Sequence, residues 1–313
     1  MLQGVRLDQS EKLALGDRLM LRAGAEFVRV AVVSSASELH PHAQLDASFS
    51  PNWIATLMVA ESPLEVESGE TSALQSAIAE LDSLPAVLFR TGLPVLESDW
   101  HQEFSLKHKV TDHASFAAAA FHDSANHQSI SGSGAAIGSD FFQDAFSNGF
   151  RYDGGASNSW GTRVGYRQKI SDDLEFATVY SWAATLSPVG DLNSTASDLR
   201  DSLTTQYHHS IAGRVSGKLP RTGTQLAASY KWTSGVSLTR QDQFGEAAYQ
   251  LEPNLHFSIH QPLPGFGMGG RWEALADFSN LLAQGYVPVN GQESRVILAP
   301  VPRSFRGGVS FQF

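Results

Sequence analysis

The chain contains no cysteine, so it has no disulfide framework, no thiolate metal site and no catalytic thiol. It also lacks any run of about 18 apolar residues, the length that a helix needs to cross a bilayer. Its mean hydropathy is -0.17, and a helical membrane protein is therefore not expected. Membrane-spanning strands escape both tests because their lipid-facing residues alternate with polar ones.

Basic residues are scarce in the chain. There are 22 of them against 32 acidic residues, and the net charge of -10 argues against a nucleic-acid partner. The composition, 42% hydrophobic and 17% charged, fits one large folded domain over residues 1–313.

The first residues, Met1 to Leu7 (MLQGVRL), lack the basic leader, apolar core and cleavage site of a secretory signal. An exported protein with this sequence would need a signal peptide upstream of Met1. We therefore predict localisation in the outer membrane only if a signal peptide precedes Met1.

The final residues, 303–313, alternate without a break and end on an aromatic side chain. Phe305, Gly307, Val309, Phe311 and Phe313 share one face, and the opposite face is polar or basic. The closing strand of an outer-membrane β-barrel needs this pattern, with lipid outside and water inside. We take Phe305, Val309, Phe311 and Phe313 as the C-terminal insertion signal that the barrel-assembly machinery would recognise. An amphipathic strand of a soluble sheet is the alternative.

Earlier segments also alternate with period two, and the connections between them fall into a short and a long class. The short ones are residues 15–17, 50–52, 110–112, 170–173, 219–223 and 263–269. The long ones are residues 34–41, 61–99, 123–159, 187–205, 235–248 and 284–302. Transmembrane barrels alternate short periplasmic turns with long extracellular loops in this way. The sequence therefore predicts an all-β fold, an antiparallel transmembrane β-barrel.

Counting these segments gives about thirteen strands. Bacterial single-chain barrels normally close with an even number of strands. If Phe313 ends on the periplasmic side, an odd count makes the first strand begin outside the cell. We therefore expect the barrel to be incomplete at its N-terminus.

Two of the long connections have features of their own. A capping box at Ser72 to Gln75, followed by an apolar stripe that ends before Pro85, predicts a short helix. The connection 123–159 carries an aromatic patch made of Phe141, Phe142, Phe146, Phe150 and Tyr152. This connection either folds over the mouth of a pore or extends as a hairpin beyond the membrane.

The C-terminal stretch from Trp272 to Phe313 resembles the last two strands of TonB-dependent receptors. In that family an Asn-Leu pair and a Tyr precede a final Arg-x-Phe-Arg strand ending in Phe. The matching residues here are Asn280, Leu281, Tyr286, Arg303, Phe305, Arg306 and Phe313. About the last forty residues carry the resemblance, and the earlier strands match only in pattern.

The resemblance implies a 22-stranded barrel that is filled by an N-terminal plug domain and imports a scarce small ligand with energy supplied through TonB. No plug or TonB-contacting segment is found in this sequence. TonB is therefore a partner only if a plug is encoded upstream, and no ligand residue of the family transfers to this chain.

Basic residues on the predicted inner faces are the candidate site residues. They are Arg163, Arg167, Lys169, Arg214, Lys218, Lys231, Arg271 and Arg306. They either favour anionic solutes in the lumen or pair with Glu175, Glu273, Asp277 and a plug domain. If the lumen conducts, reversing Arg163 and Arg167 to Glu should change its anion preference.

Histidines and serines give weaker signals. His40-Pro41-His42 and His208-His209 are histidine pairs without a third ligand at fixed spacing, and we interpret them as solvated loop residues rather than a metal site. His113, Ser115, His122 and Asp123 lie close in sequence, but no nucleophile motif surrounds them. We therefore predict no catalytic site, no metal and no cofactor.

These patterns together predict a receptor-type barrel that takes up a small ligand across the outer membrane, with the membrane lipid around it. Two alternatives remain open. One is a self-contained porin-like channel. The other is a structural or adhesive barrel whose long loops bind partners.

Overall fold

The computed structural model describes residues 3–31, 34–61, 87–133, 139–143, 149–189, 194–195, 200–251, 254–264, 271–282, 286–290, 295–300 and 303–312. Within these ranges the protein is nearly all antiparallel β-structure with one short helix, α1 (Gln243–Tyr249). The strands in chain order are β1 (Gln3–Ala14), β2 (Leu19–Ala31), β3 (Ser35–Ser50), β4 (Trp53–Ala60), β5 (Val87–Arg90), β6 (Leu93–Leu96), β7 (Ser98–Thr111), β8 (Ala114–Asn126), β9 (Ser129–Ser133), β10 (Phe141–Gln143), β11 (Gly149–Asp153), β12 (Ser157–Ser171), β13 (Leu174–Pro188), β14 (Ser194–Thr195), β15 (Leu203–Lys218), β16 (Gln225–Thr233), β17 (Leu255–Leu263), β18 (Arg271–Ser279), β19 (Tyr286–Asn290), β20 (Arg295–Pro300) and β21 (Ser304–Gln312).

One large sheet dominates the fold. It has 13 strands in the order β1-β2-β3-β4-β7-β8-β12-β13-β15-β16-β17-β18-β21, and each neighbouring pair is antiparallel. The prediction of about thirteen antiparallel strands is confirmed. Strands β1 and β21 form the two edges of this sheet, and no pairing joins them within the described residues.

Short turns connect strands at one end of the sheet, as the sequence predicts. The β1–β2, β3–β4, β7–β8 and β12–β13 connections are only a few residues long. Gly16 in the first of these and Gly223 in the β15–β16 turn have φ angles of +86° and +70°. Glycine adopts this left-handed region without a steric penalty, which explains its position in the two turns. Most of the predicted turn 263–269 lies outside the described residues.

Four of the six long connections are shorter than the sequence predicts, because the strands extend into them, whereas the β16–β17 and β18–β21 connections are longer. The predicted connection 34–41 is wrong: β3 begins at Ser35 and continues through Pro41, which faces Ala25 of β2. The predicted limits of 123–159 are also wrong, since β8 runs to Asn126 and Ser157 begins β12. The period-two pattern continues through these residues, and the polar composition concealed it.

Strands within the long connections form additional structure at the other end. A loop-side sheet of six strands has the order β10-β11-β9-β19-β20-β14, and β5 pairs with β6. Phe150 and Tyr152, each 2% exposed, pack with Ile130 and Phe141 in the core of this region. Phe150 and Tyr152 of the predicted aromatic patch are therefore buried in the core of the loop-side sheet, and the half-buried Phe141 packs against them. Phe146 and the helix predicted between residues 72 and 85 lie outside the described residues.

The 13-stranded sheet has two chemically different faces. Along β12, Trp160 and Val164 are exposed, whereas Ser159, Gly161 and Arg163 are buried. The same alternation continues on the other strands, so the exposed face is defined here as the outer face and the opposite one as the inner face. Large apolar side chains exposed on the outer face include Leu7, Leu39, Leu57, Phe104, Trp160, Val164, Tyr180, Tyr207, Ile211, Val215, Tyr230, Trp232, Phe305 and Val309.

Aromatic rings cluster at two levels of the outer face. Trp53 follows a short turn and stacks on His108 with 4.2 Å between ring centroids. Toward the loop end, Trp182 stacks on Tyr207 at 4.5 Å. Between these two groups the outer face carries aliphatic side chains such as Leu57 and Val164, together with Phe104 and Tyr180.

The C-terminal strand fits this pattern in its described part. Phe305 and Val309 are 64% and 62% exposed, and the ring of Phe305 lies 4.8 Å from that of Phe278. Phe311 faces Trp272 in the backbone register, whereas Phe313 lies outside the described residues. The first two members of the predicted insertion signal are thus presented on the outer face.

Candidate functional site

The segment between β16 and β17 folds back against the inner face of the sheet. Residues 234–251, which we name the inner segment, contain α1. Asp242 is the N-cap of α1, and its side chain accepts a hydrogen bond of 3.0 Å from the backbone N–H of Gly245. The sequence predicts only a polar connection over most of this range, so the inner segment is the main element that it did not reveal.

Asp242 fixes the inner segment to two neighbouring strands. Its carboxylate accepts hydrogen bonds from the Arg163 guanidinium of β12 at 2.5 Å and from the Ser181 hydroxyl of β13 at 2.7 Å. Arg163 is only 7% exposed and also pairs with Glu103 of β7. Burial raises the pKa of Asp242, and the nearby Arg163 charge and the hydrogen bonds oppose that rise. The charge on this buried carboxylate therefore depends on keeping these partners.

An aromatic contact fixes the same end of α1. The Phe244 ring stacks on the His101 imidazole of β7, with 3.8 Å between centroids. The His101 ring is held in turn by Asp123 at 2.5 Å and by Glu103 at 3.2 Å. The stack therefore rests on an imidazole whose orientation is fixed on both sides.

Four further contacts attach the inner segment to β13, β15 and β16. Gln241 donates to the backbone oxygens of Ala183 at 3.2 Å and His208 at 2.5 Å. Lys231 forms an ion pair with Glu246, and Arg214 donates to the Gln250 side chain. The inner segment thus supplies hydrogen-bond and ion-pair partners to polar groups of three strands.

Arg167 of β12 contacts the C-terminal end of α1. It donates to the Ala248 carbonyl at 3.1 Å, and its guanidinium lies 5.3 Å from the centre of the Tyr249 ring. It also pairs with Glu175 at 3.2 Å, as the bracing interpretation of the basic residues predicts.

Four of the eight basic candidates, Arg163, Arg167, Arg214 and Lys231, thus contact the inner segment. Lys169, Lys218 and Arg306 are exposed, and the side chain of Arg271 is not among those that the structure describes. Glu273 and Asp277, which the sequence analysis offered as partners for the basic residues, contact His260 at 3.1 Å and His256 at 2.9 Å.

The interpretation of the histidine pairs as solvated loop residues is wrong. All four lie on strands, His40 and His42 on β3 and His208 and His209 on β15, and His209 alone among the four is exposed. His40 is 4% exposed on β3, and His208 is 6% exposed on β15, because both point to the inner face. His208 contacts the Ser187 hydroxyl at 2.9 Å. In the part of the chain that the structure describes, no group of three or more His, Asp or Glu side chains is arranged to hold a metal ion.

The sequence cluster His113, Ser115, His122 and Asp123 does not come together. His122 contacts Asn158 at 2.7 Å, whereas Asp123 contacts His101 at 2.5 Å. Because His122 and Asp123 are adjacent strand residues, they point to opposite faces of the sheet.

Comparison of the chain with models of known families and with curated proteins found no match. Within the described residues, no helix is both long and apolar enough to span a membrane.

Proposed function

We propose that this chain forms the wall of an outer-membrane β-barrel of the TonB-dependent-receptor type, which takes up a small ligand across the membrane. The observation that carries the proposal is the two-faced sheet: apolar outer face, polar inner face, short turns at one end and long connections at the other. A lipid environment accounts for so many exposed apolar side chains, since soluble proteins rarely expose large apolar patches.

The two aromatic levels support the same proposal. Along β12, Trp160 and Tyr166 are six residues apart on the outer face, which corresponds to about 20 Å of extended strand. Because barrel strands tilt by about 40°, this length rises roughly 15 Å within the roughly 25 Å lipid-facing band, and the two rings lie toward its two borders, where aromatic girdles form. Trp182 and Tyr207 extend the loop-side level onto β13 and β15.

The inner segment favours an occluded barrel over an open porin-like channel. It covers basic side chains that would otherwise line the lumen, and charge-assisted hydrogen bonds hold it in place. Solute passage in this proposal requires the inner segment to move. The proposal includes three further features: the sheet closes into a barrel, the assembly machinery recognises β21, and any energy coupling runs through TonB.

Solute flux through liposomes containing the purified protein tests this function. We expect little flux for the wild type and a clear increase for Asp242→Ala, in which the anchor of the inner segment is lost. An Asp17→Asn variant, altered in an exposed turn, is the control and should behave like the wild type. Failure of the protein to associate stably with the lipid would overturn the proposal, and high flux through the wild type would favour the porin-like alternative.

A further inference from the structure

We infer that the wall beneath the inner segment is a binding site for a solute with an apolar body and two anionic groups. In this inference the inner segment occupies the site and the solute competes with it. The inference deepens the proposed uptake function by naming the solute class.

The floor of the site consists of small apolar residues. Gly165, Val179 and Ala212 are cross-strand neighbours on β12, β13 and β15. Val179 and Ala212 are each 4% exposed, and they pack against Tyr249 and Leu251 of the inner segment. The small residues let the inner segment approach closely, because a Cβ built on Gly165 would overlap the Tyr249 ring.

Basic residues surround this floor. Arg163 and Arg167 flank Gly165 on β12, each two residues away from it. Arg214 lies two residues from Ala212 on β15, and Lys231 faces Ala212 from β16. Glu103 and Glu175 pair with Arg163 and Arg167, so the four cations exceed these two carboxylates by two. The apolar floor with this excess of positive charge fits a molecule that is apolar in the middle and anionic at its ends.

The inner segment presents that chemistry. Its carboxylates meet the two ends of the site, Asp242 at Arg163 and Glu246 at Lys231. Between them Tyr249 covers Gly165, and Leu251 packs on Val179 and Ala212. The segment therefore acts as an intramolecular occupant of the site.

The positions of the two ion pairs set the length of the solute. Their carboxylates belong to Asp242 and Glu246, which lie one turn apart at the start of α1, so the two anionic groups are roughly 6–12 Å apart. When the inner segment leaves, Arg163 loses Asp242 and Lys231 loses Glu246. This loss costs free energy unless other anions replace the two carboxylates. A solute with two carboxylates or phosphates at about this separation replaces both, whereas inorganic phosphate replaces one.

Calorimetric titration of the full-length protein in detergent with linear α,ω-dicarboxylates of increasing length tests the inference. We expect affinity to peak at about six to ten carbons, the lengths whose extended chains span the separation of the Asp242 and Glu246 carboxylates. The Asp242→Asn/Glu246→Gln variant should bind the optimal dicarboxylate at least ten times more tightly than the wild type, because the competing carboxylates are gone. Asp17→Asn/Asp172→Asn removes the same charge from two exposed turns and should bind like the wild type.

Three controls separate this site from general anion binding. Arg163→Gln/Lys231→Gln should abolish binding, and a monocarboxylate or a diamine of equal length should not compete. Saturating dicarboxylate should also increase amide hydrogen exchange in α1 of the wild type. Equal affinity of the two charge-neutralised variants, or unchanged binding in Arg163→Gln/Lys231→Gln, would overturn the inference.

Binding is measured here without a membrane, so the two proposals fail separately. Length-dependent binding without liposome flux would contradict the uptake function and leave the site intact. Flux without length-dependent binding would contradict the binding site and leave the uptake function intact.

Discussion

The side chains of Arg163 and Asp242 lie 2.5 Å apart, although 79 residues separate them in the chain. Arg163 belongs to a strand in the middle of the 13-stranded sheet, and Asp242 begins the helix that lies on the inner face. This contact turns a connection between two strands into an inner layer. It also shows that the basic residues on the inner face hold part of the chain itself.

Replacing Asp242 by Ala should release α1 from the sheet. Arg163 retains Glu103 but loses one carboxylate, and the Ser181 hydroxyl and the Gly245 N–H lose their acceptor. We expect the local stability of α1 to fall by about 2–3 kcal/mol. Amide hydrogen exchange of residues 243–250 measures this change. Gln243→Ala, at the next position, is the control, and equal exchange in both variants would show that Asp242 does not anchor the segment.

Gly165→Ala should displace the other end of the inner segment. An added Cβ would overlap the Tyr249 ring, so α1 has to move away from β12. Gly213→Ala is a matched strand-glycine control, because the nearest atom to its new Cβ is the Ala177 carbonyl oxygen at 3.9 Å. We expect faster proteolysis within residues 234–251 in Gly165→Ala alone. Identical cleavage of the two variants would argue against a tight contact at Gly165.

Val164→Arg tests the environment of the outer face. Val164 is 38% exposed on β12, and a charge placed there costs about 2–4 kcal/mol if the position faces the middle of a bilayer. Val189→Arg is the comparison, because Val189 is 54% exposed just beyond the end of β13 and should tolerate the charge. Urea unfolding in lipid vesicles measures both variants. If neither Val164→Arg nor Val189→Arg changes the free energy of unfolding, the outer face is in contact with water.

Glu97 should make the loop end of the sheet sensitive to pH. Burial raises its pKa above the ordinary value of 4.5, although the Ser129 N–H and the charges of Arg240 and Arg151 oppose the rise. Because the folded pKa is the higher one, its contribution to stability is fully present below pH 4.5 and is lost as the pH rises through the folded pKa.

The check is hydrogen exchange of β9 as a function of pH, corrected for intrinsic rates. Its protection should decrease from acidic to neutral pH in the wild type. Glu97→Gln should remove that decrease, because the amide oxygen can still accept from Ser129 without carrying charge. A decrease of the same size in Glu97→Gln would assign the pH dependence to another group.

The sequence predicts the sheet well because each strand signals itself locally. Trp160, Val164 and Tyr166 alternate with Gly161, Arg163 and Gly165 in the sequence, and the same alternation separates the two faces in the structure. The ends of strands were less predictable, as at Pro41, because polar residues continue a strand beyond its apolar part.

The inner segment was not predicted, since its position depends on distant contacts. The only local signal is the capping residue Asp242 followed by the helix-forming run Glu246, Ala247 and Ala248. Nothing near these residues identifies Arg163 or His101 as their partners. Glu273 and Asp277, the partners predicted for the basic residues, contact His260 and His256, and the charge of Arg306 also acts on Asp277.

Spin labelling measures whether lipid surrounds the outer face, and because the chain has no cysteine of its own, each single introduced cysteine is a unique attachment site. Nitroxides at Ile211 and Val215, which are 52% and 43% exposed, should be accessible to oxygen and shielded from a water-soluble nickel reagent in proteoliposomes. A label at Val189 should be accessible to nickel. If the nickel reagent reaches all three positions freely, the outer face is surrounded by water and not by lipid.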